Sequence, residues 1–451
     1  MVPWDMKLAI RAVLGLICLG SWVGAQEPAA PYVDGQAAAD RMVLVTGGSA
    51  VPVYTEAGDH EVVRVAAADL VADIERVTGC KPTLSNTRID SEVRHRPLPR
   101  AIVIGSLDRS EVIRGMVEAG KLDVTRVQGQ WEAFTLQVVA NPVAGVNEAL
   151  VIAGSDRRGT AYGVYELSRR IGVSPWYWWA DITPEKRSEL HVSRAPLVVG
   201  PPGVKYRGIF INDEMWALRP WAEGTFAPEE GRGLGPKTYA KIFELLLRLR
   251  ANYIWPAMHQ RTKAFHLYEG NKLVADRYAI VMGGSHTEVM LRNNIHGAEW
   301  DVEHGGDGGE WNYMTQPQKI QDYWIRGVKK WGMYENLYNV GMRGRDDEPM
   351  KGPPDVESRI RLMEKIFQDQ RDIIAKHVNP DPKKVPQTLV AYSEVVDLYD
   401  KGMKVPDDVT MTWPEDNFGY IRRLPTPAEQ QRSGGSGIYY HLQWINGATG
   451  A

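Results

Sequence analysis

Tyr206-Arg207-Gly208-Ile209-Phe210-Ile211-Asn212-Asp213-Glu214 joins an apolar run to an amide and two carboxyl side chains. The apolar run is typical of a short buried β-strand, and the polar residues come where that strand ends. In a (β/α) barrel the active site is assembled from side chains at the carboxyl ends of several strands. This stretch therefore predicts a parallel barrel and indicates where its functional residues lie.

The rest of the second half repeats this arrangement, with strand-like segments separated by helical ones. The predicted strands are Tyr206 to Asn212, Ala251 to Ala257, Tyr278 to Gly283, Leu337 to Met342, Thr388 to Ser393, Val409 to Trp413 and Ile438 to Leu442. Helical periodicity is clearest at Lys237 to Arg250, Ile320 to Lys330 and Val356 to His377. Alternating strands and helices favour a parallel sheet surrounded by helices, so we predict a (β/α)8 TIM-type barrel over residues 204–451.

The predicted barrel is incomplete at its C-terminal end. Seven strands are found where eight would close it, and the chain ends in the small-residue segment Asn446 to Ala451. An open parallel barrel exposes backbone groups and apolar faces that closure would cover. Three explanations stay open: the chain is a fragment or truncated reading frame, another chain supplies the missing part, or one strand escapes the pattern.

A smaller α/β domain is predicted before the barrel, over residues 40–200. Val62 to Val77 has helical periodicity, and Ala101 to Gly105 and Leu150 to Gly154 have the composition of buried strands. Pro201-Pro202-Gly203 marks the boundary between the two domains.

Composition and charge exclude several classes of function. The chain has 451 residues, 43% of them hydrophobic and 24% charged, which is typical of a globular protein. Its net charge of −3 offers no basic surface for nucleic acid.

Residues 1–25 combine Lys7 and Arg11 with an apolar run and a small-residue cleavage site, which predicts a signal peptide. Because that run is too short to span a bilayer, we expect a secreted or periplasmic protein with no membrane partner.

Carboxyl groups at the strand ends predict glycosidase chemistry. Cleavage of a glycosidic bond needs one carboxylic acid that protonates the leaving oxygen and one carboxylate that acts as base or nucleophile. Glu394 follows the predicted strand Thr388 to Ser393 and is the leading candidate for the acid. Candidates for the second carboxyl are Asp213, Glu214, Asp346, Asp347, Glu415 and Asp416.

Two other strand-end residues suit an acidic sugar, although each has a structural alternative. Arg343 has the geometry to bind a substrate carboxylate with two hydrogen bonds, and it is equally well spaced for an ion pair with Asp346 or Asp347. Trp255 is either a platform for a pyranose ring or a tryptophan of the core.

The histidines do not predict a metal centre. His259, His266, His286, His296 and His304 lack the i, i+4 helical pair of a zinc protease. Their glycine-rich surroundings indicate loops. We therefore predict no metal, and we assign His286 as a hydrogen-bond donor to the substrate.

Several long segments resemble glycoside hydrolase family 115, the xylan α-glucuronidases. The matching segments are Gly154 to Thr160, Ser174 to Ala180, Gly208 to Glu214, Ala251 to Met258, Ile280 to His286, Gly341 to Gly344 and Asp416 to Pro425. The resemblance runs from about residue 40 to Tyr440. Beyond Gly437 to His441 the sequence leaves the family's pattern, so we expect a C-terminally truncated member.

The resemblance implies an inverting hydrolase that needs no metal or organic cofactor. It would remove glucuronic acid, or its 4-O-methyl ether, from α-1,2 linkage in glucuronoxylan or acidic xylo-oligosaccharides. It implies Glu394 as general acid, Asp213 or Asp347 as base, and Arg343 as the contact to the uronate carboxylate. The further substrate-binding positions are Asn212, Trp255, His286, Asn417 and Tyr440. A homodimer is also implied.

Two alternatives to an active uronidase stay open at this point. One is an inactive or carbohydrate-binding fragment of such an enzyme. The other is a different barrel glycosidase, because hexosaminidases also place a small α/β accessory domain before a barrel. Arg343 distinguishes the second alternative, since a neutral substrate gives no reason for an arginine at that strand end.

Overall fold

The computed structural model describes residues 31–94, 97–212, 214–259, 262–306 and 309–442. The predicted signal peptide and Asp213 lie outside the described residues. The chain divides into two compact units. One reaches Lys205 and includes Leu247–Arg250, and the other comprises Tyr206–Leu246 and the residues from Ala251 onward. The identification of the first unit as a hexosaminidase-like accessory domain stays a prediction.

The first unit mixes strands and helices in two sheets. Its strands are β1 (Val33–Asp34), β2 (Arg41–Thr46), β3 (Ser49–Ala50), β4 (Val53–Tyr54), β5 (Leu84–Ser85), β6 (Leu98–Ser106), β7 (Phe134–Ala140), β8 (Val146–Gly154), β9 (Leu190–Ser193) and β10 (Leu197–Val199). Its helices are α1 (Glu61–Thr78), α2 (Ile89–Glu92), α3 (Glu111–Glu118) and α4 (Arg157–Arg170). The strand orders are β10-β7-β8-β6-β4-β5 and β1-β9-β2-β3.

Continuous apolar runs explain the middle of the larger sheet. Strands β6 and β8 pair in parallel, and the C-terminal half of each is buried without alternation. Such continuous burial is typical of parallel strands that are covered on both faces. The helix predicted at Val62 to Val77 is α1, and Gly79 ends it in the left-handed conformation with a φ of 76°.

The second unit alternates strands and helices. Its strands are β11 (Gly208–Phe210), β12 (Tyr253–Trp255), β13 (Val281–Met282), β14 (Glu288–Val289), β15 (Arg292–Asn293), β16 (Tyr338–Asn339), β17 (Gln387–Val390), β18 (Thr410–Pro414) and β19 (Ser436–Tyr439). Its α-helices are α5 (Leu218–Trp221), α6 (Pro236–Arg248), α7 (Glu269–Arg277), α8 (Glu299–Glu303), α9 (Pro317–Trp331), α10 (Val356–His377) and α11 (Glu394–Asp400). Single π or 3₁₀ turns lie at Ala222–Phe226, Pro228–Glu230, Phe265–Leu267, Arg345–Asp347, Pro382–Lys384 and Glu429–Gln431.

The seven strands predicted for the barrel all form, and they run parallel in chain order. They make two sheets, β11-β12-β13 and β16-β17-β18-β19. A parallel bridge between Met282 and Asn336 links the two. Within the described part of the chain β19 does not pair with β11. The mixed α/β class is thus confirmed, and closure into a TIM-type barrel stays a prediction.

A large apolar core holds the second of these sheets in place. Tyr323 and Trp324 of α9 are fully buried in this core, together with Phe367 of α10 and Leu389 of β17. Burying a side chain of this size stabilises the fold by about 1.5–3 kcal/mol. The ends of β16 and β17, from which several predicted site residues follow, therefore rest on a rigid support.

Candidate active site

Arg343, beyond the end of β16, is the centre of a buried charge network. Its side chain is 3% exposed. Its Nη2 and Nε donate to Glu394 Oε2 and Oε1 at 2.8 and 3.3 Å, and its Nη1 donates to Asp347. One guanidinium therefore joins two of the carboxyls predicted to be catalytic.

Glu394 is positioned by an unusual backbone conformation at the end of β17. The preceding Ser393 has a φ of 51° and a ψ of −124°, a region that non-glycine residues rarely occupy. The Glu394 carboxyl also accepts the backbone N–H of Met350 at 3.1 Å, and its side chain is 18% exposed. Local strain of this kind is concentrated at functional sites in proteins.

Asp347 comes into the site through a tight, left-handed turn. Asp346 and Asp347 have φ values of 51° and 70°. The turn closes where Gly344 donates its N–H to the Glu348 carbonyl at 2.8 Å. A Cβ at Gly344 would lie 2.6 Å from the Pro349 carbonyl oxygen, so only glycine fits there. The turn leaves the Asp347 side chain 42% exposed, more than any other member of the network.

His286 connects to the network through Asp347. Its Nε2 lies 2.7 Å from Asp347 Oδ1. Burial lowers the pKa of His286, and the bond to Asp347 offsets only part of this effect. The neutral ring therefore donates its Nε2 proton to Asp347, and its buried Nδ1 has no partner in the described structure.

Tyr392 links His286 to Asn417. The Tyr392 ring stacks on the His286 ring at 4.1 Å with an interplanar angle of 9°. Asn417 donates its Nδ2 to the Tyr392 hydroxyl at 3.2 Å, from a backbone with a φ of 67°. Tyr392, which follows β17, thus connects the site to Asn417, which follows β18.

A second hydrogen-bonded chain lies beside this group. Glu415 and Tyr439 both contact the His441 ring, Glu415 at Nδ1 and the Tyr439 hydroxyl at Nε2, 2.9 Å away. Burial alone raises the pKa of the Glu415 carboxyl, but the Gly419 N–H and His441 outweigh it and the pKa is lowered. A carboxylate at Glu415 fixes the tautomer of His441 and hence the orientation of the Tyr439 hydroxyl.

Trp255 and Tyr440, both predicted to bind substrate, lie in different surroundings. Trp255 is 6% exposed and packs against the rings of Phe210 and Tyr439 at 5.3 and 5.0 Å. Tyr440 is 45% exposed, and its hydroxyl donates to the Gly419 carbonyl at 3.4 Å. The core alternative for Trp255 is therefore the one the structure favours, while Tyr440 presents its ring to solvent.

Asn212 belongs to a separate polar group at the ends of β11 and β12. Its Oδ1 lies 3.1 Å from His259 Nε2, and the His259 N–H donates to Glu214 at 3.3 Å. Burial raises the pKa of Glu214. Among the contacts of the described residues, none joins Asn212 to the Arg343 network directly.

Comparison with known families assigns the chain. The sequence profile of Glycosyl hydrolase family 115 matches residues 199–450, which include every predicted site residue. The chain belongs to this family. A comparison with curated proteins gives no match.

A solved member of family 115 is similar over most of the chain. It is a 4-O-methyl-alpha-glucuronidase with specificity for decorated arabinogalactans, 38% identical, with a TM-score of 0.80. The match covers 89% of this chain and 50% of that one, so the chain spans about half the length of that relative.

Hexosaminidase-type structures are much less similar to this family 115 chain. An N-acetyl-beta-hexosaminidase from Streptomyces plicatus is 11% identical with a TM-score of 0.48, covering 92% of this chain and 73% of that one. A chitobiase from Flavobacterium johnsoniae is 11% identical with a TM-score of 0.45, covering 91% and 64%. This likeness is too low to support a conclusion.

Neither a membrane span nor a metal centre is present in the part of this family 115 chain that the structure describes. No helix there is long and apolar enough to cross a bilayer. No three His, Cys, Asp or Glu side chains there come together in a way that would hold a metal ion.

Sequence reasoning missed three aromatic residues that connect the site of this family 115 chain. Tyr392, Tyr439 and His441 were not predicted, although Tyr392 follows the end of β17 as the other candidates follow theirs. The last strand was predicted to run from Ile438 to Leu442, whereas it ends at Tyr439. His441 therefore follows the end of this strand, as the predicted site residues follow the ends of theirs.

Proposed function

We propose that this family 115 chain releases glucuronic acid, or its 4-O-methyl ether, from α-1,2-linked side groups of glucuronoxylan with inversion of configuration. The buried Arg343 carries the proposal, because it joins Asp347 and Glu394. Two carboxyls are what glycosidic cleavage needs, and a guanidinium is what recognition of an acidic sugar needs. The name of the solved relative supports the uronic acid part of the proposal.

In this proposal Glu394 is the general acid and Asp347 the general base. Asp347 is the more exposed of the two, at 42% against 18%, and both Arg343 and His286 contact its Oδ1. Its Oδ2 is left to take a proton from water as the water oxygen bonds to the anomeric carbon. Glu394 gives its proton to the glycosidic oxygen as the bond from that oxygen to the anomeric carbon breaks. Asp213 is the second candidate for the base.

The other predicted residues position the uronic acid. Arg343 binds its carboxylate, while His286 and Asn417 lie next to the charge network through Asp347 and Tyr392. Tyr440 offers an exposed ring to the polysaccharide. Trp255 packs against Tyr439, whose hydroxyl contacts His441. Asn212 binds the substrate from the end of β11, where its Oδ1 lies beside His259 Nε2.

Arabinogalactan is a second candidate substrate. The solved relative, 38% identical to this chain, is described as specific for decorated arabinogalactans. In our proposal Arg343 and its partners contact the uronic acid side group and not the backbone of the polysaccharide. The same centre would therefore serve either polysaccharide.

Release of uronic acid by the purified chain, beginning near Gln26, tests the proposal. The chain is incubated with glucuronoxylan, with uronate-decorated arabinogalactan and with a neutral N-acetylglucosaminide. We expect uronic acid from at least one of the two acidic polysaccharides and none from either when Glu394→Ala replaces the wild type. Proton NMR of the first product anomer distinguishes inversion from retention. Hydrolysis of the neutral substrate alone would overturn the proposal.

We also propose that the protein is secreted or periplasmic, where such polysaccharides are found. Residues 1–25 have the composition of a signal peptide. N-terminal sequencing of the mature protein should begin near Gln26. An intact Met1 on the exported protein would contradict this. The implied homodimer is tested by the same protein's mass in solution.

A further inference from the structure

We propose that the carboxylate of the substrate displaces Glu394 from Arg343, and that this exchange gives Glu394 the proton it donates to the glycosidic oxygen. The proposal rests on the function proposed above. It deepens that function, because it makes the uronic acid both the ligand of Arg343 and the trigger of the reaction.

Without substrate, the proposed general acid Glu394 is paired with a cation, Arg343. Arg343 holds both oxygens of Glu394 through Nε and Nη2, a bidentate arrangement that favours the ionised carboxylate. The backbone N–H of Met350 adds a third donor. A general acid, however, must carry a proton when the substrate is bound.

A uronic acid carries the group that competes for this contact. The planar edge formed by Nε and Nη2 binds any carboxylate with two parallel hydrogen bonds. Because the Arg343 side chain is only 3% exposed and Glu394 occupies its Nε and Nη2 edge, a carboxylate that binds this edge takes the place of Glu394. Asp347 is held by a second side chain, His286, whereas among the described residues Glu394 forms no ion pair besides the one with Arg343.

Charge balance favours the uptake of a proton during this exchange. The ionisable groups that face one another are Arg343, Asp347, Glu394, His286 and the phenol of Tyr392. With a neutral His286, the resting centre has one positive and two negative charges. The substrate adds a third negative charge beside the buried Arg343 and His286, where an unpaired charge is costly. One proton from solvent, bound by the released Glu394, restores the original balance.

Two physical effects place this proton on Glu394. After the exchange the carboxyl has lost its guanidinium, and it faces the carboxylate of the substrate. Loss of a positive charge and approach of a negative one both favour the protonated form. The proton then goes to the glycosidic oxygen, and Glu394 returns to Arg343 when the uronic acid leaves. A neutral hexose would leave Glu394 paired and ionised, so the exchange also excludes neutral substrates from catalysis.

Proton counting by titration calorimetry tests the exchange without relying on catalysis. Glucuronic acid is titrated into the whole chain at pH 7 in phosphate and in Tris, two buffers with different ionisation enthalpies. We expect uptake of about one proton per uronic acid bound. Glucuronamide, which has the same shape and no charge, should cause no uptake. Glu394→Gln should bind glucuronic acid without uptake and more tightly than the wild type, because the competing carboxylate is gone.

Each other outcome counts against the exchange or against the function. Binding without uptake overturns the exchange. Uptake that persists in Glu394→Gln also overturns it, and Asp347→Asn and His286→Gln then show where the proton goes. If the affinity is too low for calorimetry, the pH dependence of the inhibition constant of glucuronic acid gives the number of protons taken up. That constant rises about tenfold per pH unit when one proton is taken up on binding. A chain that releases uronic acid without uptake keeps the function and loses the exchange, whereas one that neither binds nor releases it loses both.

Discussion

Two sets of carboxyls lie near strand ends of the second unit, and only one of them has a cation. Arg343 joins Glu394 to Asp347. Glu214 and Glu288 are 2% and 5% exposed, and within the described residues neither forms an ion pair. Burial raises the pKa of both above the usual range of a glutamate. The first set thus has a partner for a negative charge, whereas burial of the second set without a cation favours the protonated form.

Removing the cation should have the largest effect. Arg343→Ala leaves Glu394 and Asp347 without their counter-charge. Because these side chains are 18% and 42% exposed, we expect the loss of stability to be below the about 3–5 kcal/mol of a fully buried pair. We expect uronic acid release to fall by about 10³ or more, since a single charge-stabilising donor is already worth about 10²–10³. Chemical denaturation and kcat/KM are the two measurements. Arg361→Ala is the control, because Arg361 forms an ion pair on the surface with its side chain 64% exposed. Equal losses in the two variants would contradict the comparison.

Asp347→Asn should remove the base while leaving the fold intact. The amide cannot accept a proton from water, and general base catalysis contributes about 10²–10⁴ in rate. We therefore expect kcat to fall by about 10² or more and KM to change little. Asp346→Asn is the matched control on the next residue, which is exposed and accepts the His296 N–H. If Asp346→Asn lost as much activity as Asp347→Asn, the base would be wrongly assigned.

Glu288→Gln should make the protein more stable at neutral pH. The folded pKa of Glu288 is raised by burial, so the unfolded carboxyl ionises first as the pH rises above about 4.3. The wild type therefore loses about 1.4 kcal/mol per pH unit from there until the folded pKa is reached, and the glutamine variant does not. Urea unfolding at pH 4 and pH 7 measures the gap. A gap of the same size at both pH values would show that Glu288 gains no proton in the fold.

Tyr440→Ala should have the smallest effect. The ring is 45% exposed and its hydroxyl makes only a long 3.4 Å contact to Gly419. We expect KM for the polysaccharide to rise by about tenfold or less, because stacking contacts of this kind are worth about 0.5–1.5 kcal/mol. The kcat value should be unchanged, and Tyr440→Phe should behave as the wild type. A fall in kcat would place Tyr440 in the charge network instead.

Periodicity predicted the framework of the second unit well. The helix predicted from Val356 to His377 has those bounds in the structure. Its apolar residues repeat with the helical period along all 22 residues, which makes the signal clear. The last strand was shifted, since it begins at Ser436 and includes Gly437, residues that sequence patterns assign to a loop. Pairing with Met411 and Thr412 of β18 overrides that local preference.

The candidate site was predicted in part, for a similar reason. Strand ends in a parallel sheet lie at one edge, so the sequence predicts Arg343, Glu394 and His286 in one site. An ion pair of Arg343 with Asp346 or Asp347 was one of the alternatives that the spacing left open. The choice of Asp347 depends on the left-handed backbone of a turn, which leaves no periodic signal. Trp255 was equally balanced between two roles, and the structure shows it buried against Tyr439.

Uronic acid release from glucuronoxylan by Glu394→Gln and Glu288→Gln, measured side by side with the wild type, tests the central claim most directly. Both variants replace a carboxyl near a strand end by the same amide, and only the first carboxyl is paired with Arg343. The account predicts that Glu394→Gln loses a factor of about 10² or more in kcat/KM while Glu288→Gln stays close to the wild type. Loss of activity in Glu288→Gln, or its retention in Glu394→Gln, would contradict the claim that the carboxyl with the cation is the catalytic one.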